Sequence, residues 1–223
     1  MSDLAIYDLD RTVTRVATYT PFLIHCAWRR APWRLLLLPV TAASMLVYAA
    51  KAIDRGKLKE INHWLLLGGS IHPRDLKPLV DSFADATVAR NIRPGALRAI
   101  ARDKQQGRRL GLATASYRLY AEAIAERLGF DDVIGTGSVI GLDERLRSRI
   151  DGENAYGGAK LRMIAAWVEK SGLKGKHGHV RFYSDHASDA PTFDWADEPV
   201  AVNPHGPLEK LAKARGWAIE DWG

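Results

Sequence analysis

Two aspartates near the start of the chain carry its strongest chemical signal. A short apolar run, Leu4 to Tyr7, predicts a buried strand, and Asp8 and Asp10 follow where that strand ends. In an open α/β sheet, ligands bind beyond the carboxyl ends of the strands. Two carboxylates this close repel each other, which favours a hard cation such as Mg²⁺ between them. The pair also supplies a nucleophile and a separate acid or base, as phosphoryl transfer through an aspartyl-phosphate requires.

Polar residues at the ends of three later predicted elements have the types that such a reaction uses. Thr114 follows the strand over 109–113, and its hydroxyl beside the free amides of the next helix predicts a phosphate-binding position. Lys160 lies in a first helical turn, where a cation is unfavourable unless an anion faces it. Asp185 ends another strand, and Asp189 lies in the next turn as an N-cap or metal ligand. Taken singly, a helix cap explains Thr114 and a solvated surface residue explains Lys160.

The elements that must position these residues alternate between helix and strand from about residue 95 onward. Helices are predicted over 96–106, 117–128, 158–171 and 208–216. Strands are predicted over 109–113, 132–135, 179–184 and 199–202, with a hairpin over 139–150. Such alternation predicts an α/β fold with a doubly wound, Rossmann-like parallel sheet.

Residues 15–90 interrupt this alternation because they are helical and poor in strands. We therefore predict two domains: an α/β catalytic core of residues 1–14 and 91–223, and an inserted helical cap of residues 15–90. The centre of the cap, Leu35 to Ala50, is sixteen uncharged residues. As a helix it is about 24 Å long, shorter than the membrane hydrocarbon core of about 30 Å.

A membrane-spanning helix at this place is also disfavoured by topology, because one span would separate Asp8 from the later catalytic candidates. Two interpretations of Leu35 to Ala50 stay open. It is a cap helix buried against its neighbours, or it lies in a membrane interface with Trp28, Trp33 and the flanking arginines at headgroup level.

The net charge of +6 comes from one segment. Residues 15–60 hold eight basic and two acidic residues, so the rest of the chain is balanced. No nucleic-acid-binding motif accompanies this charge, and we predict no nucleic-acid partner; an anionic membrane surface or a phosphorylated substrate fits better. The single cysteine, Cys26, fits a reducing compartment, and the first residues lack the basic region of a signal peptide. We expect a cytoplasmic protein, with peripheral contact at the inner face of the membrane as the alternative.

Together the four motifs resemble those of the haloacid dehalogenase superfamily, specifically its phosphoserine-phosphatase-like branch (subfamily IB) with a helical cap after the first motif. The string DLDRTVT is similar to the first motif, LATAS to the second, the segment around Lys160 to the third and YSDHASD to the fourth. The resemblance covers nearly the whole chain. It implies a hydrolase of phosphoric monoesters.

The resemblance also implies a role for each matched residue. Asp8 would attack phosphorus, and Asp10 would protonate the leaving alcohol and then activate water. Thr114 would hydrogen-bond the phosphoryl oxygens, and Lys160 would neutralise charge beside Asp8. An acid at position 10 favours a phosphatase or phosphomutase over dehalogenase relatives.

A magnesium cofactor follows from the same resemblance. Its ligands would be Asp8, the main-chain carbonyl of Asp10 and Asp185, with Asp189 supporting the site. One departure from the first motif is Arg11, which stands where relatives commonly have glycine.

Substrate choice is constrained by an absence of acidic residues. Phosphoserine-specific relatives carry an acid shortly after the first motif, but positions 11–53 contain no Asp or Glu. A substrate ammonium would be left unpaired, which is unfavourable in a closed site. We therefore favour a phospholipid monoester such as phosphatidylglycerol phosphate. A small soluble ester is the alternative, including phosphoserine if Asp54 or Glu60 reaches the site, and a non-catalytic membrane-surface module is a third interpretation.

Overall fold

Eight strands form one sheet in the computed structural model, which describes residues 2–171 and 177–223. In chain order they are β1 Ser2–Tyr7, β2 Ser70–Ile71, β3 Arg109–Tyr117, β4 Asp132–Ile140, β5 Leu146–Asp151, β6 His177–Ser184, β7 Glu198–Val202 and β8 Ala218–Glu220. Across the sheet the order is β2-β5-β4-β3-β1-β6-β7-β8. From β4 across to β8 the six strands are parallel, which confirms the predicted doubly wound α/β sheet.

The helices of the described residues are α1 Tyr19–Arg30, α2 Leu38–Ala49, α3 Arg55–Leu66, α4 Pro73–Arg90, α5 Pro94–Gln105, α6 Arg118–Leu128, α7 Gly158–Lys170, α8 Ala190–Trp195 and α9 Pro207–Arg215. The four helices predicted from residue 96 onward agree with α5, α6, α7 and α9 to within two residues at each end. The predicted hairpin is the antiparallel pair of β4 and β5. The short elements α8 and β8 were not predicted, because neither spans enough residues for a clear period.

The predicted strand ends differ from the observed ones at two places. Strand β3 continues to Tyr117 and β4 continues to Ile140, each several residues beyond the expected end. The residues after Ala113, which are Thr-Ala-Ser over 114–116, resemble the start of a helix. Pairing with β4 keeps this stretch extended as far as Tyr117. Tertiary pairing thus outweighs local propensity here.

Strand β1 is buried on both faces, which explains its uninterrupted apolar sequence. Ala5 and Tyr7 pack into one hydrophobic cluster, and Leu4 and Ile6 pack into the other. Because side chains alternate along a strand, one short run supplies the centre of both layers of the core. The residue that follows, Asp8, is consequently held at the middle of the sheet.

Helices α1 to α4 lie between β1 and β3 in the chain, and the short strand β2 joins them to the sheet edge through β5. The interpretation of residues 35–50 as a helix buried against its neighbours is wrong. Of the 12 residues of α2, all of which the structure describes, only Ser44 is buried. Helix α4 packs along α6, and Arg127 of α6 donates from Nε to Asp85 Oδ1 at 2.6 Å. The division of the chain into a core and a cap of residues 15–90 stays a prediction.

Candidate active site

The carboxyl ends of β1 and β6 bring two predicted site residues together. These strands are neighbours, with Tyr7 paired to Tyr183, and the amide of Asp8 donates to the carbonyl of Tyr183 at 2.9 Å. Asp8 and Asp185 therefore leave the sheet side by side, although 177 positions apart in the chain. Neighbouring parallel strands place their ends at one edge, as predicted from the sequence.

A buried lysine links two of the predicted carboxylates. Lys160 Nζ donates to Asp8 Oδ1 at 2.7 Å and to Asp189 Oδ2 at 2.6 Å. Lys160 is only 3% exposed, so its interpretation as a solvated surface residue is wrong. Burial alone would lower the pKa of Lys160, but Asp189 and Asp8 outweigh it and hold that pKa above its usual value. The ammonium therefore stays charged between two anions.

The nucleophile candidate lies in a strongly anionic environment. Burial raises the pKa of Asp8; Lys160 lowers it, while Asp189 and Asp185 raise it further. The pKa of Asp185 is also raised, first by its burial. One ammonium thus offsets three clustered carboxylates only in part. Additional positive charge at this place would stabilise the ionised form of Asp8.

The donor atoms present here suit a magnesium ion. Thr12 Oγ1 lies 3.3 Å from Asp8 Oδ2 and 3.2 Å from Asp185 Oδ1, so one hydroxyl joins the two carboxylates. Asp189 Oδ1 is buried and has no hydrogen-bond partner among the residues that the structure describes. All these potential metal ligands are oxygen atoms, the ligand type that Mg²⁺ prefers.

A site made of side chains alone is not formed, because no three His, Cys, Asp or Glu side chains of residues 2–171 and 177–223 are grouped to hold a metal. The carboxylate of Asp10 is engaged elsewhere: Oδ1 accepts from the amide and hydroxyl of Thr18 at 2.6 and 2.7 Å, and Oδ2 accepts from Ser116 Oγ at 2.6 Å. The main-chain carbonyl is then the ligand atom that Asp10 could offer. The side chain is left for proton transfer.

Thr114 lies inside β3 rather than at its end, so the predicted amide environment of a helix N-terminus is wrong at this position. Helix α6 begins four residues later, and Thr114 Oγ1 instead accepts from the amide of Ser116 at 3.0 Å. Ser116, rather than Thr114, is the hydroxyl residue of β3 that lines the cavity beside Asp10. A phosphate-binding role for Thr114 stays a prediction.

Helix α3 supplies site residues that sequence reasoning missed. Arg55, Lys59 and Asn62 are spaced to share one helix face, and all three line the cavity. Lys59 Nζ donates to Asn154 Oδ1 at 2.7 Å and to the carbonyl of Ala115. Burial, followed by the effect of Arg55, lowers the pKa of Lys59 to about 7. The spacing of these residues in α3 was the sequence signal that could have identified them. A helix face with basic residues is usually exposed to solvent, however, so the spacing did not indicate a site.

The cavity over these residues has a volume of about 400 Å³, a size that accommodates a small organic ligand. Its floor comes from the sheet edge and α7, and its walls come from α1, α2 and α3. The residues that line it include Asp8, Asp10, Lys160, Asp185 and Asp189 below, and Tyr19, Met45, Tyr48, Arg55 and Lys59 above. Five of the six predicted site residues thus share one cavity.

Residues 5–194 match the sequence profile of haloacid dehalogenase-like hydrolases. The chain belongs to this family. The hydrolase is 28% identical over 227 residues to "Inhibition of morphological differentiation protein" of Streptomyces azureus, an alignment that covers 98% of this chain and 78% of that protein. Phosphoserine phosphatase SerB1 of Mycobacterium tuberculosis is 30% identical over 148 residues, covering 66% of this chain and 47% of that protein. Histidinol-phosphatase of Neisseria meningitidis is 33% identical over 97 residues, covering 43% and 44%.

The hydrolase spans about half the length of these two named phosphatases. Among solved structures, a protein with unknown function from Bordetella pertussis has a TM-score of 0.88 at 24% identity, with full coverage of both chains. A phospho-aspartyl intermediate analogue of phosphoserine phosphatase has a TM-score of 0.62 at 15% identity, covering 98% of this chain and 92% of that chain. These structures share the fold, and the predicted resemblance is confirmed.

Proposed function

We propose that this hydrolase is a Mg²⁺-dependent phosphomonoesterase that acts through an aspartyl-phosphate at Asp8. The observation that carries the proposal is the buried contact of Lys160 with Asp8, at 2.7 Å, on the floor of the cavity. A carboxylate cannot approach a phosphate dianion unless positive charge offsets the repulsion. Lys160 supplies part of that charge, and a bound Mg²⁺ would supply the rest by binding phosphoryl oxygens.

In the first step, an Asp8 carboxylate oxygen forms a bond to phosphorus while the bond from phosphorus to the leaving oxygen breaks. Asp10 gives its proton to the leaving alkoxide, which departs as an alcohol. In the second step Asp10 takes a proton from water, whose oxygen attacks phosphorus and releases Asp8 and inorganic phosphate. Thr18 and Ser116 keep the Asp10 carboxylate in place through both steps, because they donate to its two oxygens.

For the substrate, we propose a phospholipid monoester such as phosphatidylglycerol phosphate, met at the inner face of the membrane. Asp54 caps α3 by accepting from the amide of Lys57, and Glu60 accepts from the amide of Ile150. Neither carboxylate is among the described residues that line the cavity, which supports a substrate without an ammonium group. Met45 and Tyr48 add apolar surface at the same cavity.

A small soluble phosphate ester is the second candidate, and the named relatives favour it. SerB1 and the Neisseria protein are named for phosphoserine and histidinol phosphate, both soluble amines. In this candidate the substrate's carboxylate or hydroxyl, rather than its ammonium, would face Arg55 and Lys59. A non-catalytic membrane-surface module is a third interpretation. It is the weakest of the three, because every residue type that catalysis requires is present.

Phosphate release from a panel of esters, with Mg²⁺ and with a chelator, tests the proposal. The panel holds phosphoserine, histidinol phosphate, glycerol phosphate and phosphatidylglycerol phosphate in mixed micelles. We expect turnover in wild type, loss in Asp8→Asn and no change in Asp143→Asn, a matched exposed control in the β4–β5 turn. Preference for the lipid supports the membrane substrate, and preference for an amine ester contradicts it. No turnover on any ester contradicts the hydrolytic role.

A further inference from the structure

Helix α2 and the short 3-10 turn before it, Pro32–Leu37, form an apolar surface that the fold leaves uncovered. Leu36 is 80% exposed and Leu46 is 72% exposed. Isolated exposed apolar residues are ordinary, but monomeric proteins rarely leave such residues contiguous along a whole helix. We call this the α2 surface; its exposed large residues are Trp33, Leu36, Val40, Met45, Leu46, Val47 and Tyr48, and Trp28 of α1 and Trp64 of α3 are exposed as well.

Residues 32–49 are long and apolar enough to cross a membrane, but the fold excludes a single span. Strand β1, before this segment, pairs with β3 and β6, which come after it. The parts of the chain on both sides of α2 therefore occupy one sheet and must lie on one side of any bilayer. The α2 surface can lie on a membrane but cannot pass through it.

Cations surround the α2 surface. Arg29, Arg30 and Lys51 are exposed at its edges. Arg34 lies over the ring of Trp33 at 4.7 Å and donates to the carbonyl of Trp64 at 3.0 Å, which joins two of the exposed tryptophans. Positions 11–53 contain no acidic residue to neutralise this charge.

We propose that the α2 surface docks on an anionic lipid bilayer. The combination of an apolar helix, tryptophans and a cationic rim complements an interface of acyl chains beneath anionic headgroups. A second copy of the chain fits this surface poorly, because a symmetric contact would set the arginine-rich rims of two copies against each other. Charge complementarity thus selects the bilayer over a dimer.

The α2 surface also borders the catalytic cavity. Met45 and Tyr48 belong to both, so a lipid whose acyl chains remain in the bilayer has a short path for its phosphate to reach Asp8. This link to the cavity rests on the proposed phosphatase function. Docking itself rests only on the exposure and charge of the α2 surface.

Co-sedimentation with vesicles tests docking without any need for turnover. Asp8→Asn protein is mixed with vesicles of phosphatidylcholine, with and without phosphatidylglycerol. We expect binding that requires phosphatidylglycerol, and a loss of at least about tenfold in partitioning for the double variant Leu36→Glu/Leu46→Glu. Arg29→Gln and Arg30→Gln should each weaken binding about fivefold.

Matched controls come from exposed residues away from α2. Leu142→Glu changes a fully exposed leucine in the β4–β5 turn, and Arg98→Gln removes an exposed cation from α5. Both should leave vesicle binding unchanged. Circular dichroism and thermal unfolding show whether each variant is folded, so a loss of binding by an unfolded protein is not counted.

Three results would overturn docking: no sedimentation with phosphatidylglycerol vesicles, equal loss in the Leu142→Glu control, or a stable dimer in solution that Leu46→Glu dissociates. If wild type hydrolyses no ester but vesicle binding follows the expected pattern, the proposed function fails and docking stands. If soluble esters are hydrolysed and vesicles are not bound, docking fails alone.

Discussion

Thr18 donates two hydrogen bonds to one carboxylate oxygen of Asp10, from its amide at 2.6 Å and from its hydroxyl at 2.7 Å. Ser116 Oγ donates to the other oxygen of Asp10 at 2.6 Å, and Tyr120 Oη lies 3.1 Å from the hydroxyl of Thr18. The acid/base candidate is consequently held by Thr18, which directly precedes α1, and by Ser116 of β3, while Tyr120 of α6 contacts Thr18. Its direction in the cavity depends on all three.

Replacing Thr18 by Val should reduce proton transfer by Asp10, because one hydroxyl donor is lost while the backbone donor remains. We expect kcat/KM, which reports the step that releases the alcohol, to fall by about tenfold on an alkyl phosphate, a part of the full effect of general acid catalysis. On p-nitrophenyl phosphate the fall should be smaller, since that leaving group departs without a proton. Thr18→Ser should restore both rates. Equal losses on the two esters would indicate a structural role for Thr18 instead.

Replacing Lys160 by Met should destabilise the fold, because Asp8 and Asp189 would lose their common buried cation. The expected loss in the free energy of unfolding is about 3–5 kcal/mol at neutral pH. Burial raises the pKa of Asp8 and Lys160 lowers it, so removal of Lys160 should raise the pKa of Asp8 further. The deficit should therefore shrink as pH falls from neutral towards 5.

Urea denaturation of wild type and Lys160→Met at two pH values measures this effect. The double variant Lys160→Met/Asp8→Asn should recover part of the lost stability, since one of the two unpaired charges is then absent. Lys170→Met, a change at the other end of α7, is the matched control and should leave stability nearly unchanged. No recovery in the double variant would show that packing, not charge, explains the loss.

His63 should make the protein sensitive to mild acid. Its side chain is fully buried, and neither ring nitrogen has a partner among the described residues. Burial lowers the pKa of His63 to about 4, below its unfolded value of about 6.5. The fold favours the neutral ring. Below about pH 6.5 the unfolded state binds a proton at this histidine and the folded state does not, so the free energy of unfolding falls as pH falls from 6.5 towards 4.

Between pH 7 and pH 5 this titration should lower the free energy of unfolding by about 2 kcal/mol. His63→Phe keeps an aromatic ring against Tyr117 and removes the titrating group, so its stability should vary less over that interval. His205→Phe changes an exposed histidine and is the control. Identical pH profiles for wild type and His63→Phe would contradict the prediction.

Replacing Arg11 by Gly should stabilise the fold. The φ of Arg11 is +65°, in the left-handed region that side chains other than glycine disfavour. Arg11→Gly relieves this strain and should raise the free energy of unfolding by about 1 kcal/mol. Arg11→Ala keeps a Cβ in the same conformation and should give no such gain. Thermal unfolding of the three proteins decides between these outcomes.

Local patterns were sufficient to predict the sheet and most of the site. An apolar run followed by a carboxylate is a feature of neighbouring residues, and the ends of parallel strands necessarily meet at one edge. Asp8 and Asp185 were found in this way, and Lys160 was found from its place in a first helical turn; all three line one cavity in the structure. The charge excess of residues 15–60 was likewise visible from sequence alone.

Tertiary structure decided the groups that surround these residues. Ser116 reaches Asp10 from 106 positions away, and Lys59 reaches Asn154 from 95 positions away. No local period records such pairs, because each depends on how a helix or strand is placed against the sheet. The position of Thr114 was likewise decided by the pairing of β3 with β4, which overrides a helix-like sequence.

The sequence by itself determined the α/β class through its alternation of apolar strands and amphipathic helices, and it indicated the family through the resemblance of four motifs, which also implied the chemical types of the candidate site residues. The tertiary structure decided which oxygens Lys160 and Thr18 contact, and that α2 is left uncovered rather than buried. An apolar helix has the same sequence whether it is buried or exposed. Only the packing of its neighbours determines which of the two occurs.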